Sequence, residues 1–217
     1  MRFGRALVAL VLVASPAAAD GASPGARLHD GFFLRVALGA AAHESTLAHA
    51  GQPRGAEYHR ASGFGSAYAL TIGATVARGL VLAGELSSHA VTDPATTPGR
   101  GSALSVREAG YSGFLGVVDW YPDPRGGFHA MGGAGMGALS YRFGDDAKSD
   151  DPHTRSGLGW MMGAGFERFV SDQWSLGVIV RFDACLASDR PRDTEQDGPN
   201  FNAAARAVTL SVGGTYH

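Results

Sequence analysis

Apolar and polar residues alternate with a period of two through eight short runs of this chain, and the connections between the runs are alternately long and short. The long connections cover 44–62, 92–107, 142–156 and 187–200, and the short ones lie near 77–79, 122–127 and 170–173. Successive side chains of a strand point to opposite faces, so each run reads as a strand with one oily and one non-oily face. In the first run Phe32, Leu34, Val36, Leu38, Ala40 and Ala42 oppose Phe33, Arg35, Ala37, Gly39 and Ala41. In the second, Phe64, Tyr68, Leu70, Ile72 and Val76 oppose Gly65, Ala67, Ala69, Thr71 and Gly73. The third sets Leu80, Leu82 and Leu86 against Ala83, Glu85, Ser87 and His89, and the sixth sets Leu158, Trp160, Met162 and Phe166 against Gly159, Gly163, Gly165 and Glu167. The seventh sets Trp174, Leu176, Val178, Val180 and Phe182 against Ser175, Gly177, Arg181 and Asp183, and the eighth sets Val208, Leu210, Val212 and Tyr216 against Thr209, Ser211 and Thr215. The fourth and fifth runs, near 109–121 and 128–141, are rich in glycine; Phe114, Val118, Trp120, Phe128, Ala130, Ala134 and Met136 are assigned to their oily face.

An even number of strands joined by tight turns on one side and long loops on the other predicts an all-β fold: an eight-stranded antiparallel up-and-down transmembrane β-barrel. A soluble sandwich also alternates, but its solvent face is rich in Lys, Glu and Thr. Here the second face is mostly Gly, Ala, Ser and Thr with sparse charges of both signs, which suits the inside of a narrow barrel. Both chain ends are then expected at the periplasmic side, with the four long connections extracellular. Aromatic belts are expected at Phe32, Trp120, Tyr121, Phe128, Phe169, Trp174 and Tyr216 on one side, and at Phe64, Tyr111, Tyr141, Trp160, Phe182 and Phe201 on the other.

The N-terminus agrees with export. Arg2 and Arg5 precede an apolar stretch from Ala6 to Ala14, and Ala17-Ala18-Ala19 fits a small-residue cleavage site, so 1–19 reads as a signal peptide and 20–217 as the barrel domain. Nine apolar residues are too few for a helical span, and no cysteine follows the cleavage site to carry a lipid anchor. Glycine makes up 32 of 217 residues, about twice its usual share, which opposes long helices. The balance of 18 basic and 20 acidic residues gives no sign of nucleic-acid binding, and Cys185, the only cysteine, excludes an intramolecular disulfide.

The segment Gly163-Ala-Gly-Phe-Glu-Arg-Phe-Val-Ser-Asp-Gln-Trp-Ser-Leu-Gly-Val-Ile-Val-Arg-Phe182 resembles the late hairpin of small eight-stranded outer-membrane proteins of Gram-negative bacteria, the OmpA-type or OmpW-type barrel domains. The hairpin Val118-Asp-Trp-Tyr-Pro-Asp-Pro-Arg-Gly-Gly-Phe128 is similar in style, and the resemblance extends over about 30–217. It implies residence in the cell outer membrane as a monomer, contact with outer-membrane lipid and lipopolysaccharide, and insertion by the barrel-assembly machinery. That machinery reads a terminal aromatic residue, which here is Tyr216, one place before His217. No peptidoglycan-binding domain is expected after the eighth strand.

Candidate chemistry is sparse. Gly133, Gly135 and Ala138 fit a G-x-G-x-x-A string, but more strand follows where a dinucleotide site needs a helix. The eight histidines, at 29, 43, 49, 59, 89, 129, 153 and 217, show no pair at metal-ligand spacing and are expected to be solvated, most of them in or near loops. His89 with Ser87 or Ser88 and Glu85 can be drawn as a lipid-modifying enzyme's catalytic set, although ordinary alternation already puts Glu85, Ser87 and His89 on one face. No catalytic, cofactor or metal residue is therefore assigned. The best-defined constellation is the charges on the small-residue face: Arg35, Glu85, Glu167, Arg181 and Asp183, joined less firmly by Asp119. Unpaired charges in a poorly hydrated lumen are costly, so these should pair into a network that closes it. Arg35 is expected to meet Glu85 across the interior, and Arg181 to meet Asp183, Glu167 or Glu85. The functional expectation is a non-enzymatic barrel with a structural or surface-interaction role. A narrow channel for small solutes is the alternative, and an outer-membrane enzyme the third reading.

Overall fold

The computed structural model describes residues 28–29, 31–49, 57–98, 106–143, 153–187 and 201–217. The expected signal peptide at 1–19 and the charged stretches at 145–151 and 188–197 lie outside the described residues. The strands are β1 (Phe32–His49), β2 (Glu57–Ala77), β3 (Leu80–Thr92), β4 (Ala95–Pro98), β5 (Val106–Trp120), β6 (Phe128–Phe143), β7 (His153–Phe169), β8 (Trp174–Ala187) and β9 (Phe201–Tyr216). Eight of them pair in the order β1-β9-β8-β7-β6-β5-β3-β2, and β1 pairs β2 to close the barrel. Every pairing is antiparallel, as in the up-and-down barrel that the alternation predicts. The short β4 lies beside β2 beyond the end of β3, with Ser62 opposite Ala95 and His59 opposite Pro98.

The register carries the oily face around the barrel without a break. Tyr68 stands opposite Leu38, Leu38 opposite Val212, Val212 opposite Val178, Val178 opposite Phe166, and Phe166 opposite Phe128. These side chains face outward and stay exposed, up to 84% at Phe64. Exposed apolar patches on soluble monomers rarely exceed a few hundred Å². A continuous girdle of Leu, Val, Ile and Phe on all eight strands is stable only against hydrocarbon.

Two features differ from expectation. The strands run further into the predicted long connections: Glu44 pairs with Ser62, Ser45 with Ala61 and Thr46 with Arg60, inside what reads as loop. A strand needs about 9–11 residues to span a bilayer, so β1 and β2 project past the girdle. There the outward positions turn polar (Glu44, Thr46, Arg60, Arg206), and apolar alternation no longer marks them. Second, Tyr111, Tyr121 and Tyr141 point into the barrel instead of the belts. Trp120 and Tyr121 are neighbours in sequence, and only one of two successive strand residues can face lipid. Phe169, also expected in a belt, packs 4.9 Å from the His29 ring. The tight β2–β3 turn falls where the short connection near 77–79 was expected, and it depends on Gly79 at φ 69°, where a Cβ would lie 2.3 Å from the Tyr121 carbonyl oxygen.

Candidate functional site

The inward face fills the barrel in layers. At the turn end sit Phe33, Val81 and Tyr121. A middle layer holds Ala37, Ala69, Leu115, Val117, Met131, Met161 and Ile179. Towards the loop end lie Leu47, Val106, Tyr111, Leu139, Tyr141 and Cys185 with small residues between them. The glycines of β6 and β7 make this filling possible: a Cβ on Gly165 would lie 2.1 Å from His129 Nε2, and one on Gly137 would lie 2.7 Å from Cys185 Sγ. Gly133 and Gly135 therefore belong to a crowded strand and not to a nucleotide-binding turn, since both lie inside β6.

All five charges assigned to the lumen, and Asp119 with them, are buried there. They form two clusters and not one. In the first, Arg35 donates to Asp119 at 2.7 Å, to the Tyr121 hydroxyl at 2.6 Å, to Thr215 at 3.1 Å and to Glu167 at 3.4 Å. Glu167 also accepts from Tyr121, and from Ser175 at 2.7 Å, while Asp119 is bonded to His129 Nδ1 at 2.8 Å. In the second, Arg181 donates to Glu85 at 2.8 Å, to Ser87 at 3.3 Å and to both oxygens of Asp183, and Thr71 donates to Glu85 at 3.0 Å. The expected Arg35–Glu85 pair is thus replaced by Arg35–Asp119–Glu167 and Arg181–Glu85–Asp183. Strand register puts Arg35 level with Glu85 through Thr71, but side chains lean along the strand and each guanidinium is taken up by nearer carboxylates. The void touching both clusters, lined by Arg35, Thr71, Glu85, Arg181, Asp183 and Ser211, measures about 20 Å³, room for about one water molecule.

The histidines correct the sequence reading most. His29, His43, His89, His129 and His217 are buried, not solvated. His43 Nδ1 lies 2.8 Å from His89 Nε2 across the lumen. His89 is committed to His43, Glu85 to Arg181 and Thr71, and Ser87 to Arg181, so the set drawn for a lipid-modifying enzyme is not assembled as one. At the turn end His29 stacks on Tyr121 at 3.8 Å, and its Nδ1 lies 3.1 Å from His217 Nε2. His29 Nε2 donates to the Gly126 carbonyl at 2.9 Å. Both residues lie just outside the strands; burial pushes the His217 imidazole down to about 3 and lowers that of His29, so both are neutral at physiological pH.

A closed eight-stranded meander with an apolar girdle and a packed polar interior has solved counterparts. The outer-membrane protein OprG from Pseudomonas aeruginosa superposes with a TM-score of 0.50 at 16% identity, over 88% of this chain and 99% of that one. This chain has the fold of a small eight-stranded outer-membrane β-barrel. The attachment invasion locus protein Ail of Yersinia pestis, solved with the heparin analogue sucrose octasulfate, matches with a TM-score of 0.47 at 9% identity, over 86% and 99% of the two chains. Neisserial surface protein A matches with 0.45 at 14% identity, over 86% and 96%. At such identities the likeness is one of fold. No protein-family model and no curated protein matches the chain.

Proposed function

We propose that this barrel is a non-enzymatic outer-membrane protein with a structural or surface-interaction role, its lumen closed to solutes, and that residues 1–19 are its export signal. The observation that carries this reading is the packed interior: two buried ion clusters lie among three apolar layers, and the void touching both clusters measures about 20 Å³. Eight strands give an interior just wide enough for side chains to fill, which supports a closed lumen. The tight turns, with Leu28, His29 and His217, mark the periplasmic side, and the long connections face outward.

Outside the girdle, Glu44 is held between Arg206, at 2.8 Å, and Arg60. Phe64, Phe182 and Val208 form an apolar groove beneath these charges. Arginines above an apolar groove match a lipid with anionic head groups, which supports lipopolysaccharide as the partner on this face. Proteoliposomes carrying the purified chain test the closed lumen. Their uptake of small sugars is expected to equal that of empty vesicles, and faster uptake would promote the channel reading. Mass analysis of lipid A from cells overproducing the chain is expected to be unchanged, and a new lipid A species would promote the enzyme reading.

A further inference from the structure

At the turn end Glu167, besides its bonds within the Arg35 cluster, faces two buried histidines. His29 Nδ1, His217 Nε2 and Glu167 Oε1 converge: the two nitrogens are 3.1 Å apart, and each lies 4.0 Å from the carboxylate oxygen. All three side chains are buried, and the three ligand atoms lie within 4.8 Å of one another. A point equidistant from atoms at these separations is about 2.2 Å from each, close to the zinc–nitrogen and zinc–oxygen bond lengths of about 2.0–2.2 Å. The outer partners are those of a metal-binding histidine. His29 gives its Nε2 proton to the Gly126 carbonyl, which leaves Nδ1, 3.1–3.2 Å from both ring nitrogens of His217, as the unprotonated nitrogen. Ser175 bonds the other oxygen of Glu167 and lies 3.1 Å from His217 Nε2, while Oε1, the oxygen facing the histidines, also accepts from Tyr121 and Arg35. Among the described residues, Asp119 and Glu167 face one guanidinium, that of Arg35, and Asp119 has His129 as its other partner.

We propose that His29, Glu167 and His217 form a site for a first-row divalent cation of the zinc class. Two imidazoles and one carboxylate suit such ions and not magnesium or calcium, which take oxygen ligands. The ion would fasten the segment before β1, the end of β7 and the residue after β9 to one another. It would therefore act as a structural clip where the barrel closes. The clip is independent of whether the lumen conducts.

The untagged full chain, purified in detergent and stripped with chelator, is titrated with Zn²⁺ and separately with Co²⁺. After desalting, about one zinc per chain is expected, with a higher urea midpoint in the zinc form than in the stripped form. His217→Gln and Glu167→Gln should lose the retained zinc, whereas His43→Gln, which alters the other histidine pair, should keep it. No retained zinc, or equal retention in His217→Gln, would overturn the proposal; the latter outcome assigns binding to exposed histidines such as His153. If either site variant fails to fold, the unmutated protein still decides through its cobalt spectrum. Intense visible bands of low-coordinate cobalt support the site, and the weak spectrum of hydrated Co²⁺ refutes it.

Discussion

Replacing Arg35 with alanine is the sharpest probe of the lumen. The guanidinium makes four hydrogen bonds, to Asp119, Glu167, Tyr121 and Thr215, all of them buried. Removing one partner of a buried ion pair costs about 3–5 kcal/mol because the charge left behind is desolvated and uncompensated. Here Asp119 keeps His129, and Glu167 keeps Tyr121 and Ser175, so the cost should fall near the lower end, about 3 kcal/mol. Asp119→Asn in the same background removes the stranded charge, and the double variant should be more stable than addition of the single effects implies, by about 0.5–3 kcal/mol. Arg35→Ala combined with Glu85→Ala behaves differently. The two residues share no partner, so their effects should add to within about 0.5 kcal/mol. Equilibrium urea unfolding in lipid vesicles, followed by tryptophan fluorescence, measures all of these. Coupling between Arg35 and Glu85 with none between Arg35 and Asp119 would refute the two-cluster description.

Other expected outcomes follow from the same geometry. Leu82→Arg or Leu210→Arg, on the lipid face, should cost about 2–4 kcal/mol in vesicle folding near mid-membrane; tolerance of both would argue against a lipid-facing girdle. Gly165→Ala sets a methyl group against the His129 ring and should cost about 1–3 kcal/mol, whereas Gly84→Ala, with nothing within 4 Å, should be nearly neutral. Cys185 is fully buried, so a membrane-impermeant maleimide should label it only after unfolding; rapid labelling of the folded barrel would reveal an open path. Protease added to intact cells should cut within 99–105 or 188–200 and spare the Pro122–Gly127 turn; cleavage confined to that turn would invert the orientation.

The barrel was legible in the sequence because each strand repeats one two-sided pattern, and the pattern survives even where glycine dilutes it: Phe114, Val118, Phe128 and Met136 all face outward as assigned. The membership of the charge network was legible for the same reason, since parity alone sends Arg35, Glu85, Glu167, Arg181 and Asp183 inward. Its pairing was legible for Arg181, which meets Asp183 and Glu85 as expected, but not for Arg35, which meets Asp119 and Glu167 instead of Glu85. Parity gives a face but neither the lean of a side chain along its strand nor which carboxylate lies within reach across the barrel. The buried histidines were missed because their partners are remote in sequence. His29 and His217 are 188 residues apart, and only closure of β1 on β9 brings them together. Alternation already placed His89 on the inner face, and the same parity check at His43 and His129, each flanked by outward residues, would have moved those two to the lumen with it.

The central claim is a membrane-spanning barrel whose interior is filled by two separate ion clusters. Planar-bilayer recording of the unmutated chain tests it most directly. The expected record has no long-lived conducting state, with ion conductance emerging only when both clusters are dismantled, as in Arg35→Ala combined with Arg181→Ala. A stable open conductance in the unmutated protein would contradict the account.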